Sequence, residues 1–222
     1  MFTEMNVEMV DSMGGDLDVV NAARVSFSKE SNELGNNDIK LINYLAKHNH
    51  WTPFAHCFVK FRVKVPIFVA RQWFKHTVGF AYNEVSRRYV SGNPELFDVN
   101  VWRGKPEDNI KQGSSSKVIY VTRETTELME IMVAHYNTLI KQGIAPEMAR
   151  MVLPQATMTE YIVSGSLAAW ARFYNLRADD HAQHEIRWCA EQIGEKMVKY
   201  YPHSWAALCN NCKEWNFGEE EH

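Results

Sequence analysis

Cysteine is scarce in this 222-residue chain: Cys57, Cys189, Cys209 and Cys212 are the only four, and they are unevenly spaced. That excludes a disulfide scaffold as the organising principle and fits a reducing compartment. Only Cys209-Asn210-Asn211-Cys212 has motif spacing, and it lacks both the second knuckle of a structural zinc site and the strand-to-helix setting of a redox pair. Uncharged runs are short, none approaching the roughly 18–20 residues that a bilayer span requires, so no membrane association is expected. Basic residues are missing between Met1 and Asp18, a stretch that carries Glu4, Glu8, Asp11, Asp16 and Asp18. This is the reverse of a secretory or transit signal, and a cytoplasmic location is the expectation. A net charge of -3 supplies no global basic field, so nucleic acid is not an expected partner. Internal repeats and low-complexity tracts are absent as well.

What is present is the composition of a globular protein, with 45% hydrophobic and 23% charged residues. A chain this long buries about 70% of its unfolded surface without staples, and no linker divides it, so residues 1–222 read as one domain. Seven Trp, nine Tyr and eleven Phe are an excess that fits a core, large interfaces or flat-ring ligands equally well. Apolar spacing predicts an amphipathic helix over 38–49, and alternation predicts a strand over 56–65. Pro66 then ends the strand and opens a helix from Ile67 to about Thr77. Residues 82–90 read as a loop and short strand, and 103–117 as a mobile loop. Helices are expected over 117–142, 146–153, 166–176 and 181–200, with a β-rich stretch over 157–163. The class is α+β, helix-rich, with a small and mostly antiparallel sheet. Residues 218–222 read as a solvated tail.

Two constellations carry chemistry. The first runs from Arg71-Gln72-Trp73-Phe74-Lys75-His76-Thr77 to Asn83-Glu84-Val85-Ser86-Arg87-Arg88-Tyr89. On a helix, Gln72 shares a face with Lys75 and His76. Ser86 with two guanidinium forks suits a phosphate monoester, and a solvated charged face is the plain alternative. The second is Asn175-Leu176-Arg177 through His181-Ala182-Gln183-His184-Glu185-Ile186-Arg187. Asp179 or Asp180 is placed to cap the following helix. His181, His184 and Glu185 also offer metal-ligating groups, although HxxHE matches neither common zinc-helix pattern. A metal-dependent hydrolase and a nonenzymatic nucleotide- or RNA-binding module therefore stand as alternatives.

With Ala22-Ala23-Arg24-Val25-Ser26, His50-Trp51-Thr52-Pro53-Phe54-Ala55-His56 and Pro66-Ile67-Phe68-Val69-Ala70-Arg71 added, these blocks resemble the flavin-dependent thymidylate synthases. Their order and approximate spacing match from about residue 20 to 200. The chain departs from the family's Arg-His-Arg signature, which is Lys75-His76-Thr77 here and precedes Ser86 by eight residues instead of seven. Lys replaces Arg as a point charge, whereas Thr77 makes no guanidinium contact. Where many members carry an arginine toward substrate phosphate, this chain has Glu160, and Arg87 is the expected substitute.

The resemblance implies methylation of dUMP to dTMP without an enzyme nucleophile, with FAD as redox carrier and NADPH and 5,10-methylenetetrahydrofolate as co-substrates. It implies that Arg187 stabilises negative charge on the uracil edge as the catalytic residue. Gln72, Lys75, Glu84, Ser86, Arg87 and Arg88 would join Arg187 at dUMP. Ser26, Thr52, His76, Thr77, Asn175, Arg177 and His181 would contact FAD, and His50 the folate and nicotinamide face. It implies no metal, a homotetramer with sites shared between subunits, and Trp73 and Trp51 in or beside ligand blocks.

Overall fold

The strand after Cys57 alternates as its sequence requires. In β-strand Phe58–Pro66, Val59, Phe61, Val63 and Val65 are buried while Phe58, Lys60 and Arg62 face out, because successive side chains point to opposite faces. The computed structural model describes residues 2–89, 92–99, 101–106 and 113–209.

In chain order the elements are β1 Phe2–Thr3, β2 Asn6–Met13, α1 Asp16–Arg24, α2 Asn36–Lys47, β3 Phe58–Pro66, α3 Ile67–Trp73, β4 Phe80–Glu84, β5 Leu96–Phe97, β6 Trp102–Arg103 and β7 Val118–Ile119. Then follow α4 Arg123–Lys141, α5 Pro146–Ala149, β8 Met158–Ser166, α6 Leu167–Arg177, α7 His184–Tyr200 and α8 Pro202–Leu208. The main sheet has four antiparallel strands in the order β2-β3-β8-β4. A short parallel pair (β1 with β5) and a short antiparallel pair (β6 with β7) accompany it. The class is α+β, about 48% helical. Among the described residues, no helix is long and apolar enough to cross a membrane.

The centre of the fold is a strand-helix unit used twice. β3 runs straight into α3 and β8 straight into α6, with Phe58 opposite Ser166 and Pro66 opposite Met158. The two helices therefore start at opposite ends of one strand pair, and they meet where Trp73 packs 4.5 Å from Phe173, centroid to centroid. Phe61, Tyr161 and Trp170 complete an aromatic core around that contact. Gly165 is required in β8, since a Cβ there would lie 2.4 Å from the ring of Phe80. α7 lays Ile186, Cys189, Ile193 and Met197 on the same core.

Several expectations are corrected. Trp73 is wholly buried and belongs to the core, not to a ligand surface. α3 stops at Trp73, so Gln72, Lys75 and His76 do not share a helical face. The His76 N–H closes a turn on the Trp73 carbonyl (2.9 Å), and Gly79, at φ +81°, turns the chain into β4. The final helix starts at His184, with Gln183 at its cap, and neither Asp179 nor Asp180 caps it. The Asp179 carboxylate instead accepts from the His181 N–H at 2.8 Å. β7 occupies the start of the expected 117–142 helix. Cys212 and the tail 218–222 lie outside the described residues, as do 107–112 of the 103–117 segment.

Candidate functional site

The sequence-selected residues fall into three places. At the exit of β4, Glu84, Ser86 and Arg87 line a cavity of about 430 Å³ together with Arg150, Gln155 and Thr159. β4 lies beside β8, and the Val85 N–H extends the pairing to the Glu160 carbonyl at 2.9 Å. Thr159 Oγ1 donates to Glu84 Oε1 at 2.6 Å, fixing the carboxylate at the rim. Ser86 Oγ accepts from the Arg88 N–H at 3.2 Å. Arg87 gives one guanidinium arm to the Gly92 carbonyl at 2.7 Å, while its buried Nε has no hydrogen-bond partner among the described residues. A buried, unpartnered donor on a permanently charged group is costly unless an anion completes it.

Arg150 was not singled out in the sequence, and the cavity shows why it belongs here. It comes from the turn after α5, far along the chain, and its side chain joins Ser86 and Arg87 at the cavity wall. The only available signal was Arg150-Met151-Val152-Leu153-Pro154 leading into a β-rich stretch. Glu160 instead pairs with Arg62 across the sheet at 3.6 Å, both half exposed.

The second place is the junction of α3, α6 and α7. Arg177, at the end of α6, donates from Nε to His76 Nε2 (2.9 Å) and from Nη2 to the Gln72 carbonyl (3.1 Å). Since His76 Nε2 accepts, the ring proton sits on Nδ1 and the imidazole is neutral. Burial, and then the charges of Arg177 and Arg172, bring the His76 pKa down to about 4. Burial also lowers the Arg177 pKa from its ordinary value. Gln72 Nε2 donates to Gln183 Oε1 at 2.6 Å, and Gln183 Nε2 donates to Glu185 Oε2 at 2.8 Å. Arg103 closes the series with a buried ion pair to Glu185. Burial by itself raises the Glu185 pKa, but the bonds from Arg103, its own N–H and Gln183 and the Arg103 charge bring it below its ordinary value.

The third place is a larger cavity, about 750 Å³, between α2, α6 and α8, lined by Lys47, Trp51, Arg172 and Asn175 among others. Asn175 Nδ2 donates to the Leu208 carbonyl at 2.9 Å. Thr52 and His50 flank the exposed Trp51, and His50 lies edge-on to Tyr44 at 6.0 Å. Ser26 is exposed on a short 3-10 turn between Val25 and Phe27.

Other expected residues stand apart within one chain. Lys75, Thr77 and His181 are exposed. Arg88 is turned along Tyr89, bonding its hydroxyl and lying 5.0 Å over its ring. Arg187 pairs with the exposed Asp180 at 2.9 Å. Nucleophilic candidates are weak: among the described residues Ser86 Oγ meets only a backbone N–H, and burial with Asp18 and Asp16 pushes the Cys57 pKa up to about 12. Glu185 is committed to Arg103 and Gln183, and among the described residues no group of three or more His, Cys, Asp or Glu is placed to hold a metal.

Residues 8–203 match the family described as thymidylate synthase complementing protein. A flavin-dependent thymidylate synthase of Wolbachia pipientis wMel is 37% identical over 221 residues, covering 94% of this chain and 75% of the relative. One from Thermotoga neapolitana is 37% identical over 202 residues, covering 91% of this chain and 89% of the relative. Among solved structures, the UMP/dUMP methylase PolB from Streptomyces cacaoi bound with 5-Br dUMP superimposes with a TM-score of 0.81 at 32% identity, covering 93% of this chain and 95% of that one. With a single α+β domain matched over nearly its whole length in both sequence and fold, the chain belongs to the flavin-dependent thymidylate synthase family.

Proposed function

We propose that the protein methylates dUMP to dTMP, with 5,10-methylenetetrahydrofolate as carbon donor, FAD as redox carrier and NADPH as reductant. The observation that carries the reading is the cavity holding Ser86, Arg87 and Arg150, in which the buried Arg87 Nε is unpartnered. A hydroxyl and two guanidinium groups at one wall are the donor set for a nucleotide phosphate, and forked guanidinium geometry favours a dianion over a neutral ligand.

FAD, when bound, would supply the hydride chemistry. The larger cavity fits such a group: Trp51 offers an exposed ring for stacking, Lys47 and Arg172 offer charge for a pyrophosphate, and Asn175 offers an amide. The chain's own task is to hold the nucleotide phosphate, orient the pyrimidine and meet negative charge on its O4 and N3 edge with a fixed cation. The resemblance gives that charge to Arg187. Both arginines are partly buried; the geometry favours Arg177, which is fixed by bonds to His76 and to the Gln72 carbonyl, over Arg187, which is paired only with the exposed Asp180 among the described residues. Arg177 is therefore assigned the pyrimidine edge and Arg187 a peripheral place at the same nucleotide.

The site is completed in this reading by other copies of the chain in a homotetramer. Ser26 and Thr52 sit beside Val25, Phe27 and Trp51, which are 70%, 77% and 64% exposed, an apolar surface of the kind that partner subunits cover. The test is the absorbance spectrum of the purified protein followed by NADPH-dependent turnover of dUMP, with UMP assayed in parallel. Yellow protein and dTMP formation are expected. A colourless protein that FAD fails to reconstitute overturns the reading.

A further inference from the structure

Four side chains form one continuous series from β6 through the start of α7 to Gln72: Arg103, Glu185, Gln183 and Gln72. Each link restricts the next. The Glu185 carboxylate has only acceptors, so Gln183 must present its NH2 to it and its oxygen to Gln72. Gln72 must in turn give its NH2 to that oxygen, at 2.6 Å. One of its two N–H groups is thereby consumed, and the direction of its side-chain oxygen is set. Reversal of Gln183 would set its oxygen against the carboxylate and its NH2 against that of Gln72, and reversal of Gln72 would set oxygen against oxygen.

We propose that Glu185, held ionised by Arg103, is a positioning residue that fixes the amide of Gln72 through Gln183, so that the nucleotide base meets an acceptor of set orientation. The inference rests on the dUMP reading given above. Glu185 suits the task because its side chain is 9% exposed and lies in the first turn of the 17-residue α7, where the helix dipole favours an anion. Arg103 is anchored on its other side by Ser114, Nε to Oγ at 2.8 Å. The ion pair joins two elements distant in sequence, the β6–β7 hairpin and α7, and neither residue of the pair is itself assigned to substrate.

The experiment uses FAD-loaded protein and measures the dissociation constant of dUMP for wild type, Glu185→Gln, Gln183→Met and the double variant Arg103→Met/Glu185→Met, with melting temperature and flavin content alongside. Glu185→Gln keeps the shape but lets the amides reverse, so binding about tenfold weaker is expected at unchanged flavin content, a size set by one oriented hydrogen bond. Gln183→Met is expected to match it. Replacing a buried ion pair by apolar side chains is often neutral for stability, so the double variant is expected to melt near wild type and still bind dUMP weakly. Wild-type affinity in Glu185→Gln, or recovery of affinity in the double variant, overturns the inference and leaves the functional reading intact. Failure of the wild type to bind dUMP overturns the functional reading, and the positioning role with it.

Discussion

The cavity beside β4 and the junction of α3, α6 and α7 treat their polar groups in opposite ways. At the junction the charged and amide groups hold one another: Arg177 has His76 and the Gln72 carbonyl, and Glu185 has Arg103 and Gln183. Beside β4, Arg87 keeps a buried nitrogen unpartnered among the described residues, and Arg150 reaches in from a separate turn. A saturated network holds geometry, whereas an unsaturated cationic wall holds a binding deficit that a ligand removes. On the proposed reading, the first arrangement orients a base and the second captures its phosphate.

The largest expected effect removes the support of the saturated side. Trp73 packs on Phe173, Tyr161 and Trp170 beneath the junction, so Trp73→Ala is expected to cost about 3–5 kcal/mol in denaturant unfolding. A loss below 1 kcal/mol would show that the junction does not depend on that core. Next, Arg177→Ala is expected to lower kcat roughly 100-fold at saturating dUMP, by loss of a fixed cation at developing charge, with Arg187→Ala costing clearly less. The reverse ranking would return the pyrimidine edge to Arg187.

On the unsaturated side, Arg87→Ala and Arg150→Ala are each expected to raise the KM for dUMP on the order of tenfold or more, from loss of a charge-assisted hydrogen bond, while kcat changes little. A fall in kcat with constant KM would merge the two regions into one function. A pH series separates them again. The His76 pKa is lowered to about 4, beneath its ordinary 6.5. The unfolded chain therefore binds more protons in that interval, so stability is full above pH 6.5 and declines as pH falls toward 4. Melting temperatures across that range should flatten in His76→Gln. The smallest effect is expected for Glu160→Gln, because the exposed pair with Arg62 contributes about 0–1 kcal/mol.

Legibility in the sequence followed the strength of local pattern. β3 was readable because four buried apolar residues alternate with wet ones. β2 was not, since it is an edge strand with Glu8 and Asp11 on it and a register shift between Met9 and Asp11. The end of α3 was missed because nothing in Phe74-Lys75-His76-Thr77 breaks a helix, and only Gly79 forces the turn. The same error placed Lys75 and His76 on one face with Gln72. Asp179 looked like a cap because Asp is a strong one, but its carboxylate is used within the preceding turn.

The sequence by itself determined the α+β class, the family blocks and the residue types of the candidate site: a hydroxyl, arginines and amides at recognisable spacing. These are local properties, set by side-chain chemistry and periodicity. Only the tertiary structure decided that Arg150 joins Ser86 and Arg87, that Trp73 belongs to the core, and that Arg177 rather than Arg187 is locked against Gln72 and His76. The reason is that hydrogen-bond partners and burial are set by elements paired across long chain separations, and no local pattern in the sequence records which donor meets which acceptor.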